Sequence, residues 1–112
     1  MERHYLYILE CVNKAYYTGY TNNIRRRYQE HLQGSKKCKY TRSFPPRRLA
    51  ACWSLYSTRA AILKLERAVK KLSLGKKLIL IAEPTRVLLL IKQQKIRDDI
   101  KMVAFAVNNL FF

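Results

Sequence analysis

Residues 5–31 read YLYILECVNKAYYTGYTNNIRRRYQEH, and the reading of this stretch decides the fold. Its opening, from His4 to Val12, is rich in Tyr, Leu and Ile, the composition of a strand. Asn13-Lys14 is a polar turn, and Ala15 to Tyr20 reads as a second strand, so the two predict an antiparallel hairpin. Thr21-Asn22-Asn23 offers N-cap side chains for a helix to about Gln33. Ile24, Tyr28 and Leu32, at i, i+4 and i+8, are expected on its buried face, and Gly34 is placed to stop it.

Working outward, residues 34–47 (GSKKCKYTRSFPPR) show no clear period and contain Pro45-Pro46, so they read as a basic surface loop. Arg48 to Tyr56 fits a third strand. Ser57 or Thr58 then caps a helix to about Leu72, with Ile62, Leu65, Val69 and Leu72 as its apolar stripe. Lys76 to Ala82 reads as a short helix ending before Pro84, and the apolar run Thr85 to Ile91 fits strand or helix. Ile96, Ile100, Val103 and Val107 recur at helical spacing. The apolar end, residues 108–112, would either cover the core or offer a contact to another chain. The expectation is an α+β fold, a small three-stranded antiparallel sheet flanked by helices. Residues 1–83 form the domain, and 84–112 a helical C-terminal extension packed on it or at an interface.

Charge narrows the partners. Lys and Arg number 23 against 7 acids, a net charge of +16. Such a surface attracts polyanions and releases their counterions, so nucleic acid is the expected partner, DNA ahead of RNA. A ribosomal-type RNA binder shares this composition. No membrane is expected: the basic residues are not gathered on one amphipathic helix, and no run is long enough to span a bilayer. Cys11, Cys38 and Cys52 are odd in number without metal-ligand spacing, which predicts neither a disulfide framework nor a zinc site. With no apolar leader at the N-terminus, the expected location is the cytoplasm, free or with the nucleoid.

Between residues 11 and 82 the only acids are Glu30 and Glu66, so a multi-carboxylate metal cage has nothing to build with there. Tyr7, Tyr17, Arg27, His31 and Glu66 nonetheless combine phenols, a guanidinium, an imidazole and a carboxylate, the groups needed to cut a phosphodiester with one metal ion. Arg27 sits one turn before His31 and three residues after Ile24, beside the packed face of the helix; otherwise Arg25-Arg26-Arg27 is a solvated basic run. Glu66 borders the stripe of its helix, where it holds a metal or pairs with Lys70. Tyrosines in strands commonly pack with a polar tip, so Tyr7 and Tyr17 need a geometric test. A two-residue turn at Asn13-Lys14 would pair Glu10 with Tyr17 and put the phenols on opposite faces. Convergence requires a bulge or an odd-length loop, and we expect one.

The hairpin Tyr5-Leu6-Tyr7 to Tyr17-Thr18-Gly19, the following TNNIRRRYQEH, and the later AILKLERAVKKLS together resemble a GIY-YIG nuclease domain, in its small stand-alone bacterial form, over about residues 3–83. The motifs depart in reading Tyr-Leu-Tyr for Gly-Ile-Tyr and Tyr-Thr-Gly for Tyr-Ile-Gly. The resemblance implies that Arg27 clamps the scissile phosphate, that His31 shuttles a proton or binds phosphate, and that Glu66 binds Mg²⁺ or Mn²⁺. It implies that Tyr7 and Tyr17 position or deprotonate the attacking water, their pKa lowered by Arg27 and the metal. Gly19 would let the backbone approach substrate or helix closely, or simply end the strand. Lys36, Lys37, Lys39, Arg42, Arg47 and Arg48, interleaved with Tyr40 and Phe44, would contact phosphates and stack on bases, or form an ordinary basic loop. The implied activity is metal-dependent, structure-selective endonucleolytic hydrolysis. The alternatives are a non-catalytic nucleic-acid-binding module on the same fold, or an accessory subunit of a DNA repair or processing complex, joined to a partner or to itself through its C-terminal segment.

Overall fold

In the computed structural model, which describes residues 1–36, 38–96 and 100–106, the chain opens as a hairpin of β1 (Glu2–Cys11) and β2 (Tyr16–Thr21). Tyr7 lies opposite Gly19 and Leu9 opposite Tyr17. The Cys11 N–H donates to the Ala15 carbonyl at 2.9 Å, which leaves Val12, Asn13 and Lys14 as the loop. Lys14 adopts φ 67°, the left-handed closing residue that such odd-length hairpin loops require. The expected odd loop is therefore present, and it places both phenols on one face.

β3 (Pro46–Ser57) pairs antiparallel with the other edge of β1, from Glu2 opposite Ser57 to Cys11 opposite Pro46. It starts two residues earlier than expected, with proline tolerated at a strand's first position. The expected loop before it contains a single helical turn, α2 (Lys39–Ser43), closed by Arg42 N–H to the Cys38 carbonyl at 2.9 Å. A helix this short leaves no readable period.

α1 (Ile24–Gln33) is capped by Asn23, whose side chain accepts from the Arg26 N–H at 3.1 Å, and ends at Gly34 with φ 68°. Its buried face differs from the expected one. Leu32 is 47% exposed, whereas His31 is buried with Ile24. At 3.6 residues per turn, position i+8 has drifted about 80° from i while i+7 is only about 20° away. The inward stripe is thus Ile24, Arg27, Tyr28 and His31, which is what carries two functional candidates toward the sheet.

α3 (Arg59–Lys71) starts at Thr58, whose hydroxyl accepts from the Ala61 N–H, and buries Ile62, Leu65 and Val69 as expected. α4 (Leu74–Ala82) follows with Ser73 as its cap. The apolar run after Pro84 resolves into a 3-10 turn (Pro84–Arg86) and α5 (Val87–Gln93). Helical spacing then fails: residues 101–106 form β4 (Lys101–Ala106), which pairs antiparallel with β3, Trp53 opposite Phe105. Pairing to the free edge of β3 satisfies backbone groups that a helix there would leave open. Among the described residues the sheet therefore has four strands, in order β2-β1-β3-β4, where three were expected. Val107 and the apolar end at 108–112 lie outside the described residues.

The sheet divides the interior. Leu6, Ile8, Trp53 and Leu55 on one face pack against Ile62, Leu65 and Val69 of α3, and Val87 and Leu90 of α5 join them. The Trp53 indole N–H donates to the Pro84 carbonyl at 2.8 Å, which ties the segment after residue 83 into the core. At roughly 1.5–3 kcal/mol per fully buried large apolar side chain, this cluster dominates the stability. The opposite face is smaller and more polar: Tyr7, Leu9, Cys52 and Ile24, with Tyr17 and Tyr28 at its margin. Leu74, Leu78, Ile79, Leu88 and Leu89 remain exposed on α4 and α5. Among the described residues no helix is long and apolar enough to cross a membrane. Gly75, inside α4, has open space where a Cβ would stand. Gly75 stands second in the helix, where propensity counts for less than at its middle, so Gly75→Ala should raise the unfolding free energy by up to about 0.5 kcal/mol, read as a higher urea midpoint at unchanged m-value.

Candidate active site

The smaller face owes its geometry to a glycine. A Cβ at Gly19 would sit 2.5 Å from the Tyr7 hydroxyl oxygen and 2.7 Å from its Cζ. The Tyr7 ring therefore lies over Gly19, and the space expected to admit substrate is filled by this phenol. Tyr7 is buried, and its hydroxyl is 2.8 Å from His31 Nε2.

The tautomer of His31 follows from its other neighbour. His31 Nδ1 is 2.6 Å from Thr41 Oγ1, and the Thr41 hydroxyl donates to the Cys38 carbonyl at 3.3 Å. With its one proton so used, Thr41 accepts from Nδ1–H, which leaves Nε2 bare to accept from the Tyr7 hydroxyl. His31 is held neutral, its pKa pushed down to about 4 by burial and then by the Arg27 charge, with Glu30 opposing. Burial, and next Tyr17, push the Tyr7 phenol well above its ordinary range, while Arg27 pulls the other way. Cations were expected to depress this phenol; desolvation outweighs Arg27. Tyr7 is therefore a protonated donor poised on a neutral imidazole.

Tyr17 stands edge-on to His31, with ring centroids 5.2 Å apart at 64°. On its other side it stacks on Tyr40 at 5.8 Å and 20°, and Tyr40 meets Phe44 at 5.4 Å. Asn13 Nδ2 donates to the Tyr40 hydroxyl at 3.1 Å. Burial raises the Tyr17 phenol as well.

Arg27 reaches this group from the stripe of α1. Its Nη1 lies 3.5 Å from Glu30 Oε1, and its buried Nε has no hydrogen-bond partner among the described residues. Arg25 and Arg26 are exposed. Glu66 approaches from α3, the helix packed on the Leu6–Ile8 face. It is largely buried, 3.7 Å from Lys70 Nζ. Its charge is one of the lesser causes that raise Tyr7 and Tyr17, behind burial. The expected pair with Lys70 is present.

The basic residues separate in the fold. Lys36, Lys39, Arg42 and Arg47 are exposed, and Lys37 lies outside the described residues. Arg48 does not face solvent alone: its Nε pairs with Glu10 Oε1 across β1 and β3, which removes it from the free cations. Sequence reasoning missed Thr41, whose contact with His31 depends on the unexpected turn of α2. The Tyr40–Phe44 spacing of i, i+4 was the one signal that these aromatics share a helical edge.

Among the described residues no three His, Cys, Asp or Glu side chains come together. Among the described residues Glu66 is the buried carboxylate. That fits a cation such as Mg²⁺, which keeps several waters and takes further ligands from a substrate phosphate.

The model of the GIY-YIG catalytic domain matches residues 3–78. A UPF0213 protein of Syntrophus aciditrophicus is 42% identical over 83 residues, covering 74% of this chain and 94% of that one. The UPF0213 protein BH0048 of Halalkalibacterium halodurans is 47% identical over 74 residues, 66% of this chain and 77% of the relative. The solution NMR structure of the UPF0213 protein BH0048 from Bacillus halodurans is similar at a TM-score of 0.46 and 39% identity, over 77% of this chain and 93% of the other.

Proposed function

Because the chain belongs to the GIY-YIG catalytic domain family, we propose that it is a metal-dependent endonuclease acting on nucleic-acid phosphodiesters. The observation that carries this reading is the chain of contacts from Tyr7 through His31 to Thr41, with Arg27 beside it. Tyr7 takes a proton from the attacking water as it passes its own to His31 Nε2, and Thr41 holds Nδ1–H so that Nε2 stays the acceptor. The water oxygen forms a bond to phosphorus, the ester bond to the opposite oxygen breaks, and the leaving oxygen takes a proton from solvent. Arg27 stabilises the charge that develops on the phosphoryl oxygens. Glu66 would hold Mg²⁺ or Mn²⁺, which supplies positive charge near the leaving oxygen.

Substrate contact is assigned to α2 and its flanks. Tyr40 and Phe44 extend the ring stack outward from Tyr17, and Lys36, Lys39, Arg42 and Arg47 lie in a segment without acids between Glu30 and Glu66. Aromatic stacking with basic flanks suits unpaired bases, which supports selection by nucleic-acid structure. The test is cleavage of single-stranded, branched and duplex substrates with Mg²⁺ and with chelator. Chelation should abolish cleavage, Arg27→Ala should weaken it, and Glu66→Ala should raise the Mg²⁺ requirement. Salt-sensitive binding with no cleavage of any substrate would instead support the non-catalytic binding module.

A further inference from the structure

A cavity of about 360 Å³ is lined by Arg26, Arg27 and Arg59 together with His4, Tyr20 and one acid, Glu2. We propose that this cavity is a second phosphate site, which holds a phosphate of the nucleic-acid strand other than the one cut. The proposal rests on the nuclease reading for the identity of the strand, not for the presence of the site.

Its walls come from separate elements. Arg59 is the first residue of α3, and Arg26 stands in the first turn of α1; neither helix has an acid in its first turn. Three guanidinium groups therefore line the cavity, with no acid in the first turn of either helix to offset them. Two of those groups are held in place by neutral partners. Arg59 Nε donates to the Tyr20 hydroxyl at 3.2 Å, and Arg26 Nη2 donates to Asn22 Oδ1 at 3.3 Å. Neither bond neutralises its cation, so both charges remain available to a ligand.

The second observation is independent of charge. His4 is 4% exposed, and neither ring nitrogen has a hydrogen-bond partner among the described residues. Glu2 Oε2, on a largely exposed side chain, is 4.0 Å from His4 Nε2, beyond hydrogen-bond distance. Arg27 Nε, on the same cavity, is also buried without a partner. Buried polar groups are normally satisfied, and His4 and Arg27 both line this cavity, so a ligand that supplies acceptors would meet the unsatisfied N–H groups once these side chains turn toward it. A phosphate supplies several, and matches the flat guanidinium groups in geometry. Arg27 borders both this cavity and the phenol site, so one strand could place neighbouring phosphates in each.

The test is a titration of the full chain with inorganic phosphate, followed through the ring signals of its two histidines. His4 should shift and saturate while His31, sealed by Tyr7 and Thr41, stays still. Arg59→Gln should weaken phosphate binding by about tenfold, the loss of one charge-assisted bond. Lys92→Gln, on α5, removes the same charge elsewhere and should leave it unchanged. Single-stranded oligonucleotides with and without a 5′-phosphate then identify the source. If a terminal phosphate occupies the site, removing it weakens the wild type but not Arg59→Gln. If an internal phosphate does, both oligonucleotides bind alike and lose equally in Arg59→Gln. A silent His4, or equal losses in Arg59→Gln and Lys92→Gln, overturns the site. Turnover is not needed for this readout: binding here without cleavage counts against the nuclease reading alone, and cleavage with a silent His4 against this site alone.

Discussion

Gly19→Ala is expected to cost the protein both stability and cleavage, although it adds a single methyl group. That carbon would stand 2.5 Å from the Tyr7 hydroxyl oxygen and 3.2 Å from Tyr17 Cε1. Tyr7 cannot swing aside freely, because its ring is buried and its hydroxyl is bonded to His31. Overpacking of this kind costs about 1–3 kcal/mol, which urea denaturation would read directly. The larger consequence is positional. A phenol displaced by about 1 Å lengthens its bond to His31 Nε2, and misplacement on that scale costs about 10²-fold in rate. A cycle with Tyr7→Ala separates cause from coincidence: once the ring is gone, Gly19→Ala should lose most of its stability penalty. If Gly19→Ala unfolds and cleaves like the wild type, the assignment of Gly19 as the seat of the Tyr7 ring is wrong.

This role was not legible in the sequence, where Gly19 reads as a glycine that admits something to the backbone. What it admits depends on register, since only an odd-length loop sets Tyr7 opposite Gly19. Parity alone was enough to show that Tyr7 and Tyr17 need such a loop to meet, and Lys14 in the left-handed region supplies it. α3 was legible for a similar reason: Ile62, Leu65 and Val69 follow the helical period and bury as a stripe. α1 was half legible. Its caps at Asn23 and Gly34 are local chemistry, but a stripe counted in fours points at Leu32 where the true period points at His31. β4 was misread because Ile96, Ile100 and Val103 fit a helical spacing equally well, and the decision belongs to the unfilled edge of β3. Long-range contacts were out of reach. The Glu10–Arg48 pair needs the β1–β3 register, and Thr41 meets His31 only through a turn too short to show a pattern.

Tyr7→Phe is expected to lower turnover by about 10²–10⁴-fold, the range for loss of one positioned acid–base group. The substitution keeps the ring over Gly19 and removes only the oxygen bonded to His31, the one that the proposed mechanism has pass its proton to Nε2. It also leaves His31 Nε2 buried without a donor, at a cost of about 1–3 kcal/mol that unfolding would report separately. His31→Ala breaks the same transfer from the other end. If the two act as one unit, the double variant should be no slower than the slower single variant. The pH profile adds a test that a merely structural pair would not pass. Nε2 accepts a proton only while His31 is neutral, and burial with Arg27 holds the His31 pKa down at about 4. The acid limb of kcat/KM should therefore fall near pH 4, far below the ordinary histidine value of about 6.5. The sign for stability is the same. Between about 6.5 and 4 the unfolded chain takes up the histidine proton and the folded chain does not, so stability declines as pH falls through that window. Circular dichroism at each pH separates unfolding from loss of chemistry. An acid limb near 6.5 in protein that is still folded would show that His31 is not the sealed, neutral acceptor for Tyr7.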